Sequence, residues 1–319
     1  MKIFITGCAG FIGYHVSKKL LEDDIEVVGV DNLNDYYDIQ LKEYRLQILE
    51  KFSKFKFYKA DINNIDYKQI DSADIIVHLA AQAGVRSESS NKNNYIASNM
   101  NGFFNILDLA KNHNIRNIVF ASSSSVYSNI NSLPFAEKET TYKPSSFYGE
   151  TKLFNENLAK IYHDIYDINF IGLRFFTVYG ELGRPDMAYY RFAQNILDKK
   201  EITLFNEGNT MRDMTHISDI VSGINSSILL LKEISKKNYK YFEIFNLGNN
   251  SPVSTMEVLH HIEESLNMKA SICVETINEE PITHSCIKKS NKILSFSPNY
   301  PLKKGIREFC QWLNDYNKL

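Results

Sequence analysis

Tyr148 and Lys152 stand four residues apart in SSFYGETKLFNENLAKIY, a segment with a helical apolar period from Tyr148 onward, so both side chains fall on one helix face. A free phenol titrates at about 10. An ammonium beside it favours the phenolate and makes Tyr148 a candidate general base. Upstream, SSSSVY at 122–127 closes the apolar run RNIVFAS and sets hydroxyls at the carboxyl edge of a parallel sheet, where such sheets bind ligands. Near the amino terminus, G-C-A-G-F-I-G follows a first apolar run and opens a helix. Its Gly7, Gly10 and Gly13 let backbone N–H groups approach a pyrophosphate at the positive helix end. Asp31 ends the second apolar run, 18 residues past Gly13. Its carboxylate suits the adenosine ribose hydroxyls and repels a 2′-phosphate, which favours NAD over NADP. Asp61, after the third run, either meets the adenine edge together with the backbone of Ile62 or is a solvated loop acid.

The elements that must position these residues alternate. Short β-rich runs at 2–6, 25–31, 55–60, 74–80 and 116–122 are separated by stretches of helical length such as Ile12 to Asp23 and Ala97 to His113. Continuously apolar strands predict a parallel sheet covered on both faces, an α/β doubly wound Rossmann architecture. Past about residue 170 the runs INFIGL, EITLF and FEIFNL become sparser, with helices expected near 187–198, 217–235, 254–266 and 303–317. The expected division is a Rossmann domain over 1–172, to which later segments return, and a smaller mixed α/β substrate-binding lobe over 173–319.

Composition narrows the partners. The 319 residues are 44% hydrophobic and 23% charged, enough to bury a core, and 36 Lys plus Arg against 38 Asp plus Glu leave a net charge of −2. That balance offers no grip on nucleic acid or an anionic membrane and points to a small molecule. The four cysteines, Cys8, Cys273, Cys286 and Cys310, lack C-x-x-C spacing, and the eight histidines lack metal-ligand spacing. Free thiols, no metal and a reducing compartment are expected. The first apolar run is broken by glycines and lacks a cleavage pattern, and no apolar stretch reaches the roughly 20 residues of a membrane span. A cytoplasmic location follows as the expectation.

With these motifs in place, the chain resembles the extended short-chain dehydrogenase/reductases, specifically the nucleotide-sugar epimerases and most closely their UDP-glucuronate 4-epimerase branch. The likeness runs through GCAGFIG, DNLNDYYD at 31–38, HLAAQAGVR at 78–86, SSSSVY, YGETK, LRFFTVYGELGRPDM at 173–187 and RDMTHISDIV at 212–221. It implies NAD held also by Phe11, Ile12, Asn32, Ala80, Ala81 and Asn99, with Lys152 on the nicotinamide ribose. It implies a UDP-sugar whose 4-hydroxyl is deprotonated by Tyr148 with help from Ser123, through a transient 4-keto sugar. Arg184, Thr177, Ser124 and Ser125 correspond to the set that grips the sugar carboxylate; Arg86 and Arg212 are candidates for the diphosphate. Relatives commonly form homodimers through helices corresponding to Ala97–His113 and Tyr148–Tyr166, whose apolar faces here serve either a partner or only the sheet, and precursor supply for capsule or surface polysaccharide is the natural setting.

The resemblance also separates neighbouring reactions. Related 4,6-dehydratases carry an Asp-Glu pair where Ser124 and Ser125 stand, and two hydroxyls cannot supply that acid and base. Epimerisation of UDP-glucose or UDP-N-acetylglucosamine, decarboxylation of UDP-glucuronate and a non-catalytic NAD-binding regulator stay as alternatives. The chain differs from the pattern at Ser87, at Ser128 and in EEPITHSC at 279–286, which lacks the usual Gly-Asp.

Overall fold

The computed structural model describes residues 1–65, 73–84, 88–127, 132–138, 144–237, 239–277 and 281–318. Its strands in chain order are β1 (Lys2–Thr6), β2 (Glu26–Asp31), β3 (Phe55–Lys59), β4 (Ile75–His78), β5 (Asn117–Ser123), β6 (Asn169–Phe175), β7 (Thr177–Tyr179), β8 (Glu201–Phe205), β9 (Met211–His216), β10 (Phe242–Leu247), β11 (Pro252–Ser254) and β12 (Ser271–Glu275). The helices are α1 (Phe11–Glu22), α2 (Ile39–Leu49), α3 (Glu88–Tyr95), α4 (Gly102–Asn112), α5 (Phe147–Tyr166), α6 (Ala188–Leu197), α7 (Ile217–Lys237), α8 (Thr255–Leu266), α9 (Lys288–Leu294) and α10 (Leu302–Tyr316).

Seven strands form one parallel sheet in the order β10-β6-β5-β4-β1-β2-β3. The order reverses beside β1, so a crevice opens at the carboxyl ends of β1 and β4. Strand alternation divides the core. Ile3, Ile5, Val27, Val77, Val119 and Ile171 pack with α1 and α7 on one face. Phe4, Val28, Ile76, Ile118, Phe120 and Phe170 pack with α4 and α5 on the other. Both faces are covered, which is why the strands read as unbroken apolar runs.

The smaller lobe is built from α6, α8 and α10 around Tyr189, Phe192, Ile202, Leu259, Ile306 and Phe309. It is edged by the parallel pair β8–β12 and the mixed sheet β11-β9-β7. Although β10 and α7 come late in the chain, β10 extends the large sheet beside β6 and α7 packs against α1.

The helix expected from Ala97 begins differently. Ile96–Asn101 is a π-helical turn following α3, and regular α-helix resumes only at Gly102. There Asn99, 1% exposed, turns its amide inward: Oδ1 accepts from the Gln82 N–H at 2.8 Å and Nδ2 donates to the Gln82 carbonyl at 3.1 Å. A widened turn of this kind re-aims one side chain without ending the helix.

Candidate active site

A cavity of about 1030 Å³ runs along the carboxyl edge of the large sheet, from the glycine loop to the smaller lobe. The described residues expected at a site all line it, apart from Asn99, which lies behind the wall and holds Gln82 in place. Arg86, like Ser87 and Ser128, lies outside the described residues.

The glycine end is a cradle that side chains would fill. Gly7 has φ +74°, and a Cβ there would sit 2.8 Å from the Ala80 nitrogen; at Gly13 it would sit 2.0 Å from the Gly7 carbonyl oxygen. The loop is tied to the sheet by the Gly7 N–H donating to the Val30 carbonyl at 2.8 Å. Helix α1 starts after Gly10 with no side-chain cap and no acid in its first turn, so its positive end faces the cavity beside Phe11 and Ile12. This backbone-only cradle fits a pyrophosphate.

Beside it, Asp31 accepts from the Ala9 N–H at 3.1 Å and the Leu33 N–H at 2.9 Å. Burial raises its carboxyl above the usual range, against the pull of Leu33, Lys42, Ala9 and Arg45. Asp61 is set the other way. Burial works to raise it, but hydrogen bonds from the Asn63 N–H and from the Asn32 and Asn63 amides hold it below its ordinary value. Ile62, Ala80 and Ala81 complete this end.

At the centre stands the head of α5. Ser146 caps it by accepting the Gly149 N–H at 3.0 Å. Tyr148 faces Ser123, whose hydroxyl favours the phenolate, and the Ser123 oxygen accepts from the Ser125 N–H at 3.1 Å. Lys152, 1% exposed, donates to the Ala121 carbonyl at 2.9 Å with its ammonium 5.8 Å from the Tyr148 ring centre.

The expected electrostatics need one correction. Burial pushes the Tyr148 phenol up, and the cation that most opposes this is Arg184 rather than Lys152. The lysine is turned to a backbone carbonyl, and burial lowers it to about 8 while Glu156 pulls it back up.

Arg184 makes a two-point ion pair with Asp186, at 2.9 and 2.6 Å, and Tyr36 donates to the same carboxylate at 3.3 Å. Burial works to raise Asp186, but Arg184 holds it below the usual range. Thr177, Ser124 and Arg212 lie on the same wall, with Arg212 also donating to the Met211 carbonyl at 2.9 Å.

Beneath the site runs a buried polar chain that the sequence reading missed. Arg174 binds Glu156 at 2.8 and 2.6 Å and Tyr127 at 2.7 Å; Tyr127 donates to Asn246 at 2.7 Å, and Ser122 donates to Glu156 at 2.5 Å. Glu156 lies on the Lys152 face of α5, one turn on, and that i+4 spacing was the available signal. Tyr36 and Asp186, also on the wall, carried no signal beyond their place in DNLNDYYD and GRPDM, and Lys42 carried none at all. Among the described residues, no cluster of three or more His, Cys, Asp or Glu is arranged to hold a metal.

Residues 3–248 match the model of the NAD dependent epimerase/dehydratase family. An uncharacterized protein of Methanocaldococcus jannaschii is 46% identical over 97% of this chain and 95% of its own length. UDP-glucuronate 4-epimerase 4 of Arabidopsis thaliana is 39% identical over 98% of this chain and 75% of its own. Among solved structures, UDP-glucuronic acid 4-epimerase from Bacillus cereus, in complex with UDP-glucuronic acid and NAD, superposes with a TM-score of 0.91. It is 32% identical, covering 99% of this chain and 100% of that one.

Proposed function

The chain belongs to the NAD dependent epimerase/dehydratase family, and from that premise we propose that it inverts carbon 4 of UDP-glucuronate to give UDP-galacturonate. It is an NAD-dependent isomerase acting on a UDP-sugar. Bound NAD supplies the oxidant that takes hydrogen from carbon 4 and gives it back, so the cofactor is regenerated in each turnover.

Gly7, Gly10 and Gly13, with the α1 amino terminus at Phe11 and Ile12, hold the pyrophosphate. Asp31 and Asn32 hold the adenosine ribose, Asp61 and Ile62 the adenine edge, and Ala80 and Ala81 the floor. Asn99 keeps that floor in place through Gln82. Lys152 bonds the second ribose and holds its positive charge near the ring of Tyr148. Tyr148 takes the proton of the sugar 4-hydroxyl, and Ser123 holds the reacting oxygen and passes the proton on. The raised phenol of the resting site serves this order of events: Tyr148 stays neutral until positive charge gathers around it.

A 4-keto glucuronate is a β-keto acid, and restraint of its carboxylate protects it from losing carbon dioxide. Arg184, Thr177, Ser124 and Ser125 supply that restraint, and Arg212 and Arg86 take the diphosphate. The observation that carries the reading is the joining of three groups on one cavity: the glycine cradle, the Ser123–Tyr148–Lys152 group, and a guanidinium whose charge reaches the phenol. The test is incubation of purified protein with UDP-glucuronate, UDP-glucose and UDP-N-acetylglucosamine in turn, without added NAD. UDP-galacturonate is the expected product. Carbon dioxide release identifies a decarboxylase, turnover of the neutral sugars alone a neutral-sugar epimerase, and no product from any of them a non-catalytic binder.

We assign residues 1–172, with β10 and α7, to the NAD-binding domain and the remainder of 173–319 mainly to the UDP-sugar lobe. The working form is a homodimer. Phe104 on α4 and Phe154, Ile161 and Ile165 on α5 are exposed on the side of these helices away from the sheet, 38–63% accessible, an apolar stripe suited to a second copy. No described helix is long and apolar enough to cross a membrane. The four free cysteines, two of them buried, support a cytoplasmic location.

A further inference from the structure

We infer that Arg45 is a positioning residue that fastens the glycine loop to the segment carrying Arg184, so that dinucleotide and sugar are held by one frame. The inference rests on the assignment just made for the two ends of the cavity. Arg45, on α2, is 0% exposed. One nitrogen, NH1, donates to the Ala9 carbonyl at 2.8 Å and the Tyr37 hydroxyl at 2.7 Å; NH2 donates to the Leu182 carbonyl at 2.6 Å and the Gly183 carbonyl at 3.0 Å. Ala9 lies between Gly7 and Gly10. Leu182 and Gly183 directly precede Arg184.

The arrangement is an expensive way to fill space. Arg45 donates to three carbonyls and a phenol rather than to a carboxylate, and its Nε finds no partner among the described residues. A buried charge without a bonded counter-charge costs stability that an apolar side chain of similar length would not. What the apolar side chain could not do is bond two loops at once, which needs a forked donor. The carboxylate that does feel the charge is Asp31, and it bonds the same loop through the Ala9 N–H.

A second tie runs parallel, since Tyr36 donates to Asp186, the partner of Arg184. The segment before Arg184 has little freedom to absorb movement. Leu182 is held at φ +54°, and a Cβ on Gly183 would sit 1.9 Å from the Tyr189 hydroxyl oxygen. Ordering of the glycine loop by a dinucleotide is therefore passed to the approach of Arg184. By thermodynamic reciprocity, a sugar acid bound at Arg184 tightens the hold on the dinucleotide.

The experiment is the rate of NAD release from purified holoenzyme, with and without saturating UDP-glucuronate, for wild type, Arg45→Lys and Tyr37→Phe. Arg45→Lys keeps the charge but cannot fork. UDP-glucuronate is expected to slow release by at least about tenfold in wild type and by less than about twofold in Arg45→Lys. Tyr37→Phe, which removes one bond and leaves α2 intact, reduces the slowing to about threefold and carries the test if Arg45→Lys does not fold. Equal slowing in all three proteins, or none in wild type, overturns the inference. Product is followed in the same mixtures: slowing without UDP-galacturonate contradicts the assigned reaction and leaves the fastening by Arg45 standing.

Discussion

Arg184 and Asp186, two positions apart, meet side-on through Nε and NH2 at 2.9 and 2.6 Å on the wall that faces Tyr148. The pair fixes the guanidinium plane before any sugar arrives and leaves the NH1 edge for a second anion. On the proposed function, a carboxylate on carbon 5 of the sugar is the group that meets this edge.

Replacement of Arg184 therefore separates acidic from neutral substrates. In Arg184→Gln, kcat/KM for UDP-glucuronate is expected to fall roughly 10²-fold further than kcat/KM for UDP-glucose, since both sugars lose the guanidinium's pull on the Tyr148 phenol but only the acidic one also loses a charged hydrogen-bonded contact. Steady-state rates on both sugars decide it. Equal losses would confine Arg184 to the Tyr148 phenol or the shape of the site and remove it from the carboxylate.

The role proposed for Lys152 predicts the alkaline side of the pH profile. Its ordinary value of 10.5 is lowered to about 8 by burial, so the ammonium and the activity it supports are lost as pH rises through that value. Stability moves oppositely for this group: the unfolded chain keeps the proton up to 10.5, so between 8 and 10.5 the folded state gains as pH rises. Falling kcat without unfolding is the expected record. Lys152→Arg should retain some activity and move the alkaline limb up by at least about one pH unit; an unmoved limb would remove Lys152 as its source.

Acid acts through two histidines shielded from water, His78 buried and His15 half-buried. His78, bonded to the Thr6 hydroxyl at 2.8 Å, and His15, bonded to the Glu181 carbonyl at 3.0 Å, are both lowered by burial from 6.5 to about 3. The unfolded chain binds their protons first. Their contribution is complete above about pH 6.5 and drains as pH falls toward 3, by about 1.4 kcal/mol per pH unit for each histidine. Urea unfolding at pH 7, 6 and 5 should show this slope, reduced by about one proton in His78→Gln. An unchanged slope in that variant would mean His78 does not titrate with unfolding.

The dimer assignment predicts twice the chain mass by light scattering. Ile165→Lys, at a position 63% exposed, should shift the protein to monomer with little change in the melting point of dilute samples. A monomeric wild type would contradict the assignment.

Much of this was readable in the sequence because the relevant signals are local. Apolar strands buried on both faces mark themselves, and Gly7, Gly10, Gly13, Tyr148 and Lys152 reveal chemistry by spacing within one turn or one helix. What stayed hidden depends on contacts between distant segments. Arg45 reaches Leu182 and Gly183 across 137 and 138 positions, and Arg174 reaches Tyr127 across 47. The charge that bears most on Tyr148 comes from Arg184, 36 positions away, rather than from its helix neighbour, because side-chain direction and burial decide the field. The π-helical turn at Ile96–Asn101 is likewise invisible in an otherwise helical pattern, since it answers to the backbone of Gln82.

The central claim is that one tightly held dinucleotide takes hydrogen from carbon 4 and returns it to the other face while Tyr148 handles the proton. UDP-glucuronate deuterated at carbon 4, incubated with purified protein in ordinary water without added NAD, tests it most directly by mass spectrometry and NMR of the product. The account predicts UDP-galacturonate with deuterium still on carbon 4 and this product suppressed by roughly 10³-fold or more in Tyr148→Phe. Deuterium washed out to solvent, or full turnover by Tyr148→Phe, would contradict it.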